Sequence, residues 1–157
     1  ESHMIDVSQL VIEKDKSVIG VFADNVVVDY DGNLFDACSY AATMALLSSK
    51  TPTWNWVDEK PVLVEGEEIQ LPIMTIPVSV TMAKIGNHIV VDPNGDEWAC
   101  MDARVTITSD SDGNICALQK GGSDGFTLDE IVKCGETSVK VGAQIREKLK
   151  AAQQGGQ

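Results

Sequence analysis

Three features of the 157-residue chain predict an α+β fold with a mixed, largely antiparallel sheet packed by helices. The first is a Val-rich run that ends in a glycine turn and opens a small-residue helix, VVVDYDGNLFDACSYAATMALL at 26–47. The second is a pair of alternating hairpin patterns between 76 and 120. The third is a long amphipathic stretch after Thr127.

Taken in order, SVIGVFADNVVVDY (17–30) is rich in Val and Ile and reads as one long strand. Asp31-Gly32-Asn33 is the turn, and Ala, Leu and Met carry a helix from Leu34 to Ser48. Its small residues Ala37, Ala41, Ala42 and Ala45 predict close packing against a sheet. TPTWNW (51–56) reads as a loop, and PVLVEGEEIQL (61–71) as two short strands about Gly66 with acidic residues protecting an edge.

IPVSVTMAKIG (76–86) and NHIVVDP (87–93) form a hairpin with Gly86-Asn87 at its turn. DARVTITSD (102–110) and NICALQK (114–120) form a second through 111–113. Thr127 and Glu130 make a capping box before the last helix. Its predicted apolar stripe is Leu128, Ile131, Val132, Val139, Ile145 and Leu149, and Arg146, Lys148 and Lys150 suit a C-terminal dipole. Residues 152–157 are expected to be a disordered tail.

Charge narrows the function classes. There are 24 acidic and 12 basic residues, net −12, and the only arginines are Arg104 and Arg146. Nucleic-acid affinity comes mostly from clustered Lys and Arg, so most of this surface repels RNA and DNA. An RNA role therefore needs a local patch or a partner's basic residues. Lys84, Lys120 and Lys133 are scattered and carry no site on their own.

The longest apolar candidate, 71–83, is short and broken by Pro72 and Pro77, so no membrane span is expected. No basic region followed by an apolar run opens the chain, and a cytoplasmic protein is the default expectation. Cys38, Cys100, Cys116 and Cys134 form no CxxC, and His3 and His88 lie at no zinc-ligand spacing from a cysteine pair. Buried free thiols are expected.

Motif chemistry is sparse. DYDGN (29–33) and DSDGN (110–114) carry Gly fourth, and their twelfth positions are Tyr40 and Gly121, so Asx turns account for them better than calcium loops. GGSDG (121–125) is not a nucleophile elbow, and no Walker lysine or G-x-G-x-x-G is present. His88 at a hairpin start reads as structural. In VDPNGDEW (91–98), Asp92, Asp96 and Glu97 are the one acidic cluster placed to hold Mg²⁺, with a solvated acidic turn as the plain alternative.

Several strings together resemble the RNase PH family over about residues 1–150. They are VDYDGNLFDACSYAATMALL, IPVSVTMAKIGNHIVVDP, the GNICALQKGG hairpin and the long terminal helix. Within that family the likeness is strongest to the non-catalytic RNase PH-like subunit of the archaeal exosome. The resemblance implies that 1–56 ends a first RNase PH-like subdomain, 57–74 connects, and 75–151 forms a second. It also implies that the chain begins inside the family's longer unit and lacks its N-terminal half, with residues 1–4 native rather than a vector remnant.

Active members carry G-T-R where this chain has Gly32-Asn33-Leu34, and their Arg and helix N–H groups hold the attacking phosphate. They also carry two carboxylates six residues apart; here the first aligns with Asp92 and the second position is Trp98. An indole neither binds Mg²⁺ nor moves a proton. The resemblance thus implies no catalytic, cofactor-binding or metal-binding residue in this chain. Mg²⁺ and inorganic phosphate belong to a catalytic partner subunit, in a hexameric ring with RNA-binding caps that degrades RNA 3′→5′ by phosphorolysis. The alternative is a divergent Mg²⁺-dependent phosphorolytic exoribonuclease using Asp92, Asp96 and Glu97.

Overall fold

The computed structural model describes residues 2–155. In chain order the elements are β1 (Val11–Glu13), β2 (Ser17–Val18), α1 (Leu34–Ser48), β3 (Lys50–Val57), β4 (Lys60–Gln70), β5 (Val78–Ile85), β6 (His88–Val91), α2 (Gly95–Cys100), β7 (Ala103–Ser109), β8 (Ile115–Gly122) and α3 (Leu128–Gly155). β5 to β8 form a four-stranded sheet in the order β6-β5-β7-β8, while β1-β2 and β3-β4 are two-stranded ribbons. All pairings between these strands are antiparallel.

The predicted hairpins form as read. Ile85 pairs His88 across Gly86, whose φ of +57° suits a tight turn. Asp110 closes the second loop: its carboxylate accepts from the Asp112 and Asn114 N–H groups at 2.9 and 2.8 Å, an Asx turn rather than a cation loop.

Period-two alternation gives the sheet two different faces. Val78, Val80, Met82, Val105 and Ile107 point to α3 and close the apolar core with Cys134. The other face, under α1, is polar and internally paired. Ser79 Oγ lies 3.0 Å from Ser39 Oγ and 2.8 Å from Thr108 Oγ1, and Thr81 Oγ1 lies 2.8 Å from Thr106 Oγ1. Buried hydroxyls are tolerated there because each finds a partner.

α3 is capped as predicted, with Thr127 N–H donating to Glu130 Oε2 at 2.6 Å. Of the predicted stripe, Ile131, Ile145 and Leu149 pack against the core, but the most buried positions are others. Leu128 and Val132 are exposed, and Cys134, Gly135, Ser138, Gly142 and Arg146 are buried. Small residues let the helix approach the sheet more closely than a Leu/Val stripe would. A Cβ on Gly142 would stand 2.7 Å from Ser109 Oγ. We predict that Gly142→Ala costs about 1–3 kcal/mol by overpacking, read by chemical denaturation; an unchanged midpoint would show that the helix can retreat freely.

Several expectations are corrected. Only Ser17–Val18 of the predicted 17–30 strand is a strand. No described strand pairs with 19–30, so its backbone has no ladder, and Phe22, Val26 and Val28 stay exposed. Ala37, Ala41 and Ala45 are exposed too, because α1 faces the sheet with Asp36, Thr43 and Leu47 instead.

TPTWNW is not a loop but most of β3, and 61–71 is one strand with a bulge rather than two strands. Register jumps from Pro52↔Glu68 to Trp54↔Leu63, taking up the extra residues around Gly66 at φ +77°. Both strands of a two-stranded ribbon are edges, and an edge tolerates Pro52.

α3 continues through Gly155, so 152–155 are helical rather than tail, and Gln153 Nε2 donates to Leu47 O at 2.8 Å. Residue 1 of the expected native start, and 156 and 157 of the expected tail, lie outside the described residues. Of the four cysteines Cys134 alone is buried, Cys38 and Cys116 are half-buried and Cys100 is exposed.

Candidate functional site

The junction flagged by the sequence is where α1 begins. Gly32, at φ +89°, is forced: a Cβ there would lie 2.4 Å from Pro93 O. This contact presses the turn before α1 onto the loop after β6, and Asp31 Oδ1 ties the two together by accepting from Gly95 N–H at 3.1 Å. α2 follows, held by a capping box in which Asn94 N–H donates to Glu97 Oε2 at 2.9 Å and Glu97 N–H to Asn94 Oδ1 at 3.0 Å. Sequence reading saw this short helix only as an acidic turn.

Asn33 is the N-cap of α1, buried and left-handed at φ +37°. Its amide donates to Asp36 Oδ2 at 2.9 Å and to Asp92 Oδ1 at 2.6 Å. Asp36 also accepts from Thr81 N–H at 2.8 Å and Thr81 Oγ1 at 2.7 Å. Burial pushes the Asp36 carboxyl upward from its ordinary value; the bonds from Asn33 and Thr81 oppose this, and the Asp92 charge adds to it. Burial likewise raises the Tyr40 phenol, with Asp36 and Asp92 adding to the rise. Its hydroxyl donates to Ser79 O at 2.7 Å.

One amide therefore bridges two carboxylates at a helix N-terminus. An anion would meet negative charge there, and Leu34 offers it no side-chain donor. Asn33, Asp36 and Thr81 have no catalytic motif to mark them; their one signal is their place in the VDYDGNLFDACSYAATMALL and IPVSVTMAKIGNHIVVDP strings.

The acidic cluster does not converge into a ligand set. Asp92 is bonded by Asn33, Glu97 is engaged in its cap, and Asp96 is exposed on α2. No group of three or more His, Cys, Asp or Glu is placed to share a metal ion among the described residues.

Trp98 instead turns toward Phe35, with ring centroids 6.5 Å apart. Arg104 Cζ lies 4.2 Å from the Phe35 centroid and 5.2 Å from that of Trp98. These distances place the cation in the notch beside both rings, at nearly a right angle, rather than between them. Sequence analysis missed this trio, although period two along β7 puts Arg104 on the same face as Thr106 and Thr108.

The lysines remain scattered. Lys84 pairs Glu130 at 3.1 Å, Lys120 donates to Gly122 O at 2.8 Å, and Lys133 is exposed.

Comparison with known proteins follows this geometry. Residues 75–141 match the 3′ exoribonuclease family, domain 2 (RNase PH C-terminal type). The chain is 45% identical over 148 residues to the Exosome complex component Rrp42 of Thermoplasma volcanium, covering 94% of this chain and 54% of that protein. It is 45% identical over 150 residues to the Exosome complex component Rrp42 of Thermococcus kodakarensis, covering 95% and 55%. The chain thus spans about half the length of the curated relatives it matches.

Among solved structures it is similar to an archaeal exosome core, with a TM-score of 0.84 and 37% identity over 96% of this chain and 58% of that one. It is also similar to the Archaeoglobus fulgidus exosome with RNA bound to the active site, with a TM-score of 0.77 and 34% identity over 94% and 56%.

Proposed function

We propose that this chain is an RNase PH-family exosome component and acts as a non-catalytic ring subunit. In this role it supports the active site of a catalytic RNase PH-like partner that degrades RNA 3′→5′ by phosphorolysis. Mg²⁺ and phosphate bind in the partner, RNA-binding subunits cap the ring, and this chain flanks the RNA path without cleaving.

The observation that carries this reading is the closed Asn33–Asp36–Asp92 network at the start of α1. The Asn33 amide and the Asp36 carboxylate are engaged with one another, with Asp92 and with Thr81, and the position suited to a phosphate-holding arginine is Leu34. The division of the chain into an end of one subdomain (1–56), a connector (57–74) and a second subdomain (75–151) belongs to the same proposal. So does a cytoplasmic setting; no helix among the described residues is long and apolar enough to cross a membrane.

The role requires association. Native mass spectrometry of this chain mixed with the catalytic exosome subunit is predicted to show a mixed complex with equal numbers of the two. Two non-interacting species would overturn the proposal.

A further inference from the structure

The geometry points to Arg104 as the phosphate-binding group of a nucleotide site on the α1 side of the sheet, with the cleft beside Phe35 taking the rest of the nucleotide. Arg104 contacts two aromatic rings but donates to no acceptor and pairs with no carboxylate among the described residues. Its Nη1 is the buried side-chain donor left without a partner.

The guanidinium is also fixed in place. A Cβ on Gly121 would stand 2.8 Å from both Nε and Cζ, so the group lies close against that glycine. Phe35 and Trp98 hold it from other sides without consuming a donor. A rigid planar fork with all its donors free is what bidentate recognition of a phosphate oxygen pair requires. An unpartnered buried donor is costly, and a ligand that supplies acceptors removes the cost.

Phe35 is shared with a cleft of about 520 Å³, which is also lined by Ser39, Thr106, Thr108 and Gln119. That is within the size range of small-molecule sites. Thr106 and Thr108 Oγ1, bonded to Thr81 and Ser79, each keep a further hydrogen-bonding position for a ribose, the Gln119 amide suits a base edge, and Phe35 is the aromatic ring of the cleft against which a base can pack. Arg104↔Gly121 and Thr106↔Gln119 are neighbouring register pairs on β7 and β8, so one stretch of ladder builds both halves of the site.

The inference deepens the proposed role beside the RNA path, and rests on it only for the source of the nucleotide. The shared chemistry is a phosphate ester with an attached nucleoside, free or at an RNA end.

The test is calorimetric titration of the full chain with AMP, inorganic phosphate and a short oligo(A). Arg104→Met and Gly121→Ala are run alongside, each first checked for folding by circular dichroism. Saturable AMP binding is expected, weakened about ten-fold or more by Arg104→Met, and weakened again by Gly121→Ala, which displaces the guanidinium without removing it. Competition by oligo(A) would assign the site to RNA; AMP binding without competition would assign it to a free nucleotide. No saturable binding of AMP or oligo(A), or equal affinity in both variants, overturns the inference. Association with the catalytic subunit is measured separately and is not inferred from Arg104, so failure here leaves the proposed role standing.

Discussion

Replacing Arg146 by alanine is expected to destabilise the fold by about 3–5 kcal/mol, because it orphans two buried carbonyls and leaves a cavity. Arg146 is 5% exposed at the middle of α3. Its Nε donates to Ile76 O at 2.7 Å and its Nη2 to Ser109 O at 2.8 Å. Ile76 precedes β5 and Ser109 ends β7, so one side chain fastens the ends of two paired strands to the helix. Arg146→Met keeps most of the stem packing and removes the donors, and Arg146→Lys restores charge with only a point donor. The predicted order of stability is wild type, then Lys, then Met and Ala. Thermal melting should show a drop on the order of 10 °C for alanine. A melting temperature within a degree or two of wild type would mean that the carbonyls find water and the clamp is dispensable.

The second large effect is at Asp36. Asp36→Ala removes the acceptor for the fully buried Thr81 N–H and is expected to cost about 2–3 kcal/mol. Asp36→Asn should behave differently. Its Oδ1 can accept from Thr81 N–H and from Asn33, while its Nδ2 donates to Thr81 Oγ1, whose own hydrogen then turns to Thr106 Oγ1.

The pH dependence separates wild type from both variants, neither of which carries a carboxyl at position 36. Because burial raises the folded-state value for Asp36, the native chain binds a proton more readily than the unfolded one between the ordinary and raised values. Stability from this group is therefore highest on the acid side of that window and is lost as pH rises through it. Asp6, Asp110 and Glu130 are lowered by hydrogen bonds and contribute with the opposite sign, losing stability as pH falls below their ordinary values. Subtracting the Asn variant's stability–pH curve from that of wild type isolates Asp36. The difference is predicted to decline as pH rises from the ordinary carboxyl value through the raised one, and a flat difference would contradict the buried-carboxylate account.

What was legible in the sequence was local. Thr127-x-x-Glu130, the Gly86 turn and the Asp110 loop each fix their own neighbourhood, so the start of α3 and the two hairpins are legible. The bounds of α1 were right for the same reason, but its buried face was not. Small residues there looked like a sheet-packing stripe, whereas Asp36 and Thr43 face the sheet because Thr81 and Pro77 supply their partners 45 and 34 residues away.

β3 was hidden by Pro52, which reads as a breaker until a second edge strand pairs beside it. The 17–30 segment has the composition of a strand, but a strand exists only where a neighbour completes its hydrogen bonds. Arg146 looked like a surface cation suited to a dipole because nothing local shows that Ile76 O and Ser109 O converge on it. The candidate site divides in the same way. Leu34 and Trp98 stood out against the family's motifs, whereas the Asn33 bridge and the Arg104 notch depend on contacts made only after folding.

The most direct test of the central claim, that this junction is wired internally and serves a partner, is nucleoside diphosphate release from oligo(A) with phosphate and Mg²⁺. It is measured with the chain alone, with the catalytic exosome subunit alone, and with both. The account predicts no release by the chain alone and more release by the mixture than by the catalytic subunit alone. Phosphate-dependent release by the chain alone would contradict it and make Asp92, Asp96 and Glu97 a working site.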